Sequence, residues 1–195
     1  CGLQVRVLSG KKEASYIAQG ALLDRNITEK TFHLLDLGGG SQELIAIQKG
    51  RVTQLTSLQL GSVRLTEQFI VNHEDAIRQK ELEEVAKHVR CELKKASYPF
   101  LPQRTLLIGM GGAVNYARSL LASNLGKNSE QISPVLKLND LRQLRDDISA
   151  LPLKKRFEHY KIPEMRADIM PVALQTLITT AQATGVDSIY HSMCN

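Results

Sequence analysis

The segment 36–41 combines the residue types best suited to chemistry. It reads Asp-Leu-Gly-Gly-Gly-Ser, an acidic residue at the end of an apolar run followed by three glycines and a hydroxyl. Glycines leave backbone amides free to converge on an anion, and an aspartate beside that anion is suited to hold a divalent cation. A hairpin turn stabilised by Asp next to Gly is the alternative interpretation, and this segment alone does not decide between the two.

A second glycine cluster occupies positions 109–112 and reads Gly-Met-Gly-Gly. It ends an apolar run just before a helical pattern, where free N–H groups and the helix dipole favour an anion. Close packing of a strand against a helix is the alternative explanation. The chain carries neither the GxxxxGK[ST] pattern nor a GxGxxG opening after its first strand, so the common nucleotide-binding loops are not indicated.

Alternation and helical spacing predict an α/β domain in which three strands form an antiparallel meander, followed by alternating helices and strands. Strands are predicted at residues 4–8, 32–37, 43–47, 52–60, 104–108 and 188–191, and helices at 11–20, 74–96, from 113, 139–150, 153–160 and 167–184.

Composition restricts the function without defining it. The 195 residues are 43% hydrophobic, enough for one large domain or one and a fraction, and no run approaches the ~20 apolar residues that cross a bilayer. A net charge of +5 suits a polyanionic partner, but basic and acidic residues are mixed and aromatics are only 5%, so nucleic acid is not favoured. Three widely spaced cysteines predict neither a disulfide framework nor a zinc site, and favour a reducing cytoplasm.

Histidine and serine patterns argue against two other mechanisms. The five histidines form no HExxH-type ligand pair, so no histidine metal site is predicted. Ser9, Ser41 and Ser62 lack a nearby His and Asp pattern typical of a nucleophilic triad. A covalent acyl or phosphoseryl intermediate is therefore disfavoured, and direct attack by water is the favoured route for any hydrolysis.

Taken together, five segments resemble the exopolyphosphatase/guanosine pentaphosphate phosphatase family, in the order expected of it. The resemblance covers essentially the whole chain, and the joint occurrence is far more specific than either glycine cluster. The segments are 8–14 (LSGKKEA), 36–44 (DLGGGSQEL), 61–67 (GSVRLTE), 109–113 (GMGGA) and 166–171 (RADIMP).

The resemblance implies an actin-like ATPase (ribonuclease H-like) superfold, a mixed sheet flanked by helices, with a cleft between two domains. Residues 1–30 would end the first domain, and residues 31–195 would form the second without its final helix. The family's first phosphate loop is absent, so the chain is expected to begin partway through a longer product. By itself it is expected to hydrolyse nothing at a useful rate.

The resemblance also assigns roles. Glu13 matches the carboxylate that orients and deprotonates the attacking water, and Asp36 and Glu43 match carboxylates associated with Mg²⁺. Two departures, Met110 and Ala113, replace a small residue and a hydroxyl residue, and would weaken a phosphate contact or change substrate preference. The implied phosphate-binding residues are Gly38, Gly39, Gly40, Ser41, Gly111 and Gly112.

The implied function is hydrolysis of the terminal phosphoanhydride of polyphosphate or guanosine pentaphosphate, which the residues do not separate. A non-catalytic actin-like module that binds a nucleotide or anion is the main alternative, and a nucleic-acid-binding domain is a weaker one. No membrane contact is expected. Assembly, for which a homodimer is one alternative, is not decided by the sequence.

Overall fold

The computed structural model describes residues 8, 10–24, 27–98, 105–160 and 162–192. Helices and strands follow one another in a mixed order across these ranges. In chain order they are α1 (Gly10–Leu22), β1 (Phe32–Leu37), β2 (Gln42–Gln48), β3 (Arg51–Leu58), α2 (Ser62–Phe69), α3 (Gln79–Lys95), β4 (Leu106–Met110), α4 (Gly111–Asn124), a 3₁₀ turn (Ser129–Gln131), β5 (Val135–Lys137), α5 (Leu138–Ser149), α6 (Leu153–Tyr160), α7 (Glu164–Ala167), α8 (Met170–Ala183) and β6 (Ser188–His191).

A mixed six-stranded sheet organises the described chain, in the order β3-β2-β1-β4-β6-β5. The meander β1 to β3 is antiparallel, as predicted. Strand β4 pairs parallel with both β1 and β6, and β5 closes the far edge antiparallel to β6. The predicted α/β class and the mixed sheet flanked by helices are confirmed.

Helices cover both faces of the sheet, which explains why β1 and β2 are almost continuously buried. On one face, α1 packs on alternate residues of the strands, including Phe32, Leu34 and Ile45. On the other face, the larger core combines Leu35, Leu44 and their neighbours with apolar residues of α2 to α5 and α8. The buried apolar residues of β1 and β2 are therefore divided between two cores according to the face on which they lie.

Helix α8 is the most buried helix of the described residues, with apolar and threonine side chains enclosed on nearly every side. It spans 14 residues and lies in the larger core, where the side chains of Thr180 and Gln42 on β2 are hydrogen-bonded. In the ranges that the structure describes, no helix combines the length and apolar character needed to cross a membrane.

Several predicted boundaries are corrected. The helix predicted from residue 74 begins at Gln79, because the Glu81 carboxylate accepts a hydrogen bond from the Arg78 amide (2.9 Å) and closes the first turn there. The helix predicted over 167–184 is interrupted after Ala167, where the Asp168 side chain accepts from the Ile169 amide (2.8 Å).

Other elements differ in extent or were missed. Strand β4 is shifted to Leu106–Met110, so it runs directly into the glycines, and α2 and β5 were not predicted. Helix α6 and strand β6 lie where the sequence placed them. The strand predicted at 4–8 lies outside the described residues except for Leu8, which is exposed and outside any strand.

Candidate functional site

The two glycine clusters meet where the central strands β1 and β4 end, and these strand ends form one edge of the sheet. Strands β1 and β4 are parallel neighbours, with Asp36 opposite Met110, so both strands deliver their carboxyl ends to the same place. Contact is direct: a Cβ at Gly111 would overlap Oδ1 of Asp36, and Gly111 has a φ of +81°. Glycine is needed at 111 both for its backbone conformation and for the approach of the carboxylate.

Two carboxylates lie side by side at this edge. Asp36 and Glu43 are directly opposite in the β1–β2 ladder, so their side chains share the face covered by α1. Asp36 is partly exposed, whereas Glu43 is buried and accepts a hydrogen bond from Ser57 Oγ (2.8 Å). The hydroxyl orients one Glu43 oxygen.

This pair fits Mg²⁺, which commonly takes one or two protein carboxylates and keeps several waters. A complete protein shell is not formed: the described residues contain no group of three or more His, Cys, Asp or Glu placed to hold a metal. Asp36 and Glu43 are the residues of this edge that would hold the ion.

The first glycine loop serves as the cap of α2. The Gly38 carbonyl accepts from the Ser62 amide (2.9 Å), and the Gly39 carbonyl accepts from the next two amides of the helix (3.0 and 3.2 Å). A Cβ at Gly61 would overlap the backbone of residues 39 and 40, so α2 begins in direct contact with the loop. The Gly38 amide donates to the Ser41 carbonyl (3.0 Å) and closes the turn.

Arg64 adds a cation to this loop. Its side chain is exposed, and its Nε donates to the Gly40 carbonyl (3.1 Å). The sequence contained Arg64 within the segment 61–67, but gave no signal of its role, because only the fold brings the first turn of α2 against the loop.

The second cluster forms the open start of α4. Its N-cap residue, Met110, makes no side-chain hydrogen bond to the first turn, which begins at Gly111. Arg166, from α7, lies beside it: Nη1 is 3.4 Å from the position that a Cβ would take on Gly112. The guanidinium also lies over the Tyr116 ring, 5.2 Å from its centroid. Helix-terminal amides and a guanidinium together form an environment that attracts anions.

A buried arginine holds α7 in position. Arg156 is fully buried and donates to three carbonyls, those of Leu151 (2.8 Å), Asp75 (2.8 Å) and Ala167 (3.4 Å). Burial lowers the pKa of Arg156, while the nearby Asp168 charge opposes that shift. Since Ala167 directly follows Arg166, this anchor sets where the exposed guanidinium emerges.

The model of the Ppx/GppA phosphatase family matches residues 1–192. The chain belongs to this family. Solved structures agree in fold: the Ppx/GppA phosphatase of Aquifex aeolicus, in its type II variant, superposes with a TM-score of 0.82 at 21% identity, and an exopolyphosphatase from Cytophaga hutchinsonii with 0.81 at 24%. The matches cover 98% and 97% of this chain but 62% of each relative, so the chain spans less than two thirds of their length.

Glu13, to which the Ppx/GppA resemblance assigns the water, lies within α1, but its side chain is outside the described residues. Its helix packs on the same face of the sheet as Asp36 and Glu43. The general-base role therefore stays a prediction.

The two family departures occupy the cores rather than the loop surface. Met110 is 1% exposed and packs with residues of α1 and β1, and Ala113 is 6% exposed in the larger core. Met110 contributes its volume to packing beneath the edge, which gives its size a structural reason. Their effect on phosphate binding stays a prediction.

An apolar groove of about 480 Å³ lies elsewhere, between α4, β5 and α5. Its walls include Leu121, Ile132 and Leu144, and it shares no lining residue with the glycine clusters. The groove therefore lies on a different part of the surface from the two glycine clusters.

Proposed function

We propose that this Ppx/GppA family member contributes one wall of a site that hydrolyses terminal phosphoanhydrides, with polyphosphate or guanosine pentaphosphate as substrate. The observation that carries the proposal is the contact between Asp36 and Gly111, because it places a carboxylate and an open helix start at one point. A phosphate chain with a bound cation needs both types of group.

The residues divide into an anion side and a cation side. Gly111, Gly112 and Arg166 would hold phosphoryl oxygens through amides and the guanidinium. Residues Gly38 to Ser41 would border the same phosphate through the loop backbone. Asp36 and Glu43 would hold Mg²⁺, which supplies neutralisation of the charge on the phosphoryl oxygens.

The proposed reaction is an in-line attack of water on the terminal phosphorus. The new P–O bond forms to the water oxygen, and the bond to the bridging oxygen breaks, so the shortened chain leaves with that oxygen. Glu13 would accept the water proton as general base. The loops would keep water, phosphorus and leaving oxygen in line, which is the main contribution of a protein to this chemistry.

Asp36→Asn in the complete two-domain protein tests the proposal. The substitution keeps the shape and removes the charge, so phosphate release should fall by about 100-fold or more while the thermal midpoint is retained. Release is measured from long polyphosphate, guanosine pentaphosphate and ATP side by side across a Mg²⁺ titration. Asp140→Asn, an exposed change on α5, is the matched control. Unchanged release by the Asp36 variant would reject the assignment.

Glu13→Gln tests the role of the base. A residue that orients water acts on the chemical step, so kcat should fall by about 10²- to 10⁴-fold with little change in KM. A variant with a raised KM and an unchanged kcat would reject the general-base role.

The competing function is an actin-like module that binds an anion without turnover, and the open α4 start beside Arg166 supports binding by itself. Saturable binding of triphosphate without phosphate release in the complete protein would favour it. The chain alone should bind weakly and release no phosphate at a useful rate. The proposal also includes a cytoplasmic location. A homodimer is one alternative for the assembly, and sedimentation measures it.

A further inference from the structure

We propose that Tyr116 is a positioning residue that holds Arg166 over the start of α4 for binding of a polyphosphorylated ligand. The inference rests on the proposed function and deepens it. It assigns the aromatic ring of Tyr116 the task of selecting one orientation of a long, exposed cation.

The contact geometry supports this role. The Arg166 guanidinium carbon lies 5.2 Å from the Tyr116 ring centroid, within the range of cation–π attraction. The same guanidinium lies beside Gly112, where Nη1 would be 3.4 Å from a Cβ. One group is therefore held between an aromatic face and a glycine of the helix start.

The ring is a fixed support and the arginine is not. Tyr116 is partly buried and packs against the larger core, so its position follows from α4. Arg166 is exposed on the four-residue helix α7, and among the described side chains no carboxylate forms an ion pair with it. An exposed arginine loses considerable rotamer entropy when it binds a ligand, and stacking on a ring reduces that loss.

The orientation has a chemical consequence. A guanidinium is planar and presents paired N–H donors that match two oxygens of a phosphate. Held next to the α4 amides, it would bind a neighbouring phosphate or a second oxygen of the same phosphate. The ligand class is a chain of phosphates. A mononucleoside monophosphate would gain less binding affinity from the guanidinium.

The experiment measures binding of tripolyphosphate to the 195-residue chain by calorimetry, with turnover measured separately in the complete protein. Tyr116→Phe keeps the ring and should bind as the unaltered chain does. Tyr116→Leu removes the ring and should weaken binding about two- to fivefold, the factor expected of an exposed cation–π contact. Arg166→Ala should weaken it more.

A double-mutant cycle separates positioning from a general loss of structure. If Tyr116 acts through Arg166, Tyr116→Leu should have no further effect in the Arg166→Ala background. Equal losses in both backgrounds, or a Phe variant as weak as the Leu variant, would overturn the inference. Tyr116→Met, which fills the gap flexibly, replaces the Leu variant if that variant does not fold.

The outcomes also distinguish this inference from the proposed function. Phosphate release by the unaltered complete protein, with identical tripolyphosphate affinities for the Phe and Leu variants, would reject the positioning role alone. Absence of release in the presence of a normal binding cycle would reject the proposed function and leave the positioning role standing.

Discussion

The two glycine clusters end neighbouring parallel strands, yet they use their backbone in opposite ways. In the first cluster, the carbonyls of Gly38 and Gly39 are engaged by the amides that open α2. In the second, the N-cap residue Met110 makes no side-chain hydrogen bond to the first turn of α4, and Arg166 lies beside that turn. The first cluster accepts hydrogen bonds from the first amides of α2. The second cluster itself forms the first turn of α4.

The comparison shows that a glycine run does not identify an anion site by itself. In loop 38–41 the closest backbone approach occurs at Gly61, outside the run, while Gly40 has no neighbour within 4 Å of a Cβ position. In the second cluster the position that requires glycine is Gly111, because a Cβ there would overlap Asp36 and because its φ is positive. The proposed function divides accordingly into a cation side and an anion side. The following predictions test this division, beginning with the largest effect.

Gly61→Ala should disrupt the first cluster most. The new Cβ would overlap the backbone of residues 39 and 40, which cannot rotate away, so the free energy of unfolding should fall by about 4 kcal/mol or more. Gly40→Ala is the matched control and should change it by less than about 1 kcal/mol, since open space surrounds that position. Chemical denaturation measures both, and similar losses would contradict the geometry.

Arg156→Leu should weaken the second cluster through α7. Three backbone carbonyls would lose their buried donor, so the free energy of unfolding should fall by about 2–4 kcal/mol. Tripolyphosphate binding should weaken as well, because Arg166 lies on α7 and would move with it. Arg142→Leu, a change at a partly exposed position on α5, is the control. Full stability in the Arg156 variant would show that the anchor is not needed.

Strand β1, which leads to the first cluster, should make the stability of the fold sensitive to acid. His33 on β1 is paired with Leu107 on β4, and its Nδ1 lies 2.8 Å from the Tyr98 hydroxyl. Burial lowers the pKa of His33 from 6.5 to about 4. The unfolded chain binds a proton below pH 6.5 while folded His33 stays neutral, so stability is complete above that pH and is lost as pH falls towards 4.

The free energy of unfolding should be about 2 kcal/mol lower at pH 5 than at pH 8 because of His33. Denaturation curves across that range measure it, and His33→Gln should flatten the dependence. His159→Gln, an exposed change on α6, should leave it unaltered. A profile identical in the His33 variant would assign the acid sensitivity to other groups.

Ser57→Ala should have the smallest effect. It removes the hydroxyl that donates to Glu43 Oε1, so the free energy of unfolding should fall by about 1 kcal/mol. Phosphate release should fall only a few-fold, with a rise in the Mg²⁺ concentration needed for half-maximal rate. Ser133→Ala, away from the clusters, is the comparison. An unchanged Mg²⁺ requirement would show that Glu43 needs no orientation.

Local pattern determined much of this protein. Alternation and helical spacing of apolar residues predicted the meander, helix α6 and strand β6. The order of five short segments carried the resemblance to the Ppx/GppA family, which the family match confirms. These properties are readable because each depends on residues close together in the chain, through the strand and helix periods or through a fixed motif.

Tertiary structure alone decided which groups meet. Asp36 touches Gly111 because β4 inserts beside β1 in parallel, and Arg166 reaches α4 because buried Arg156 anchors α7. The same holds for α2, whose first amides are satisfied by a loop more than 20 positions earlier in the chain. Such contacts join segments that are distant in sequence, and their energy depends on the packing of the whole sheet, which no local period records.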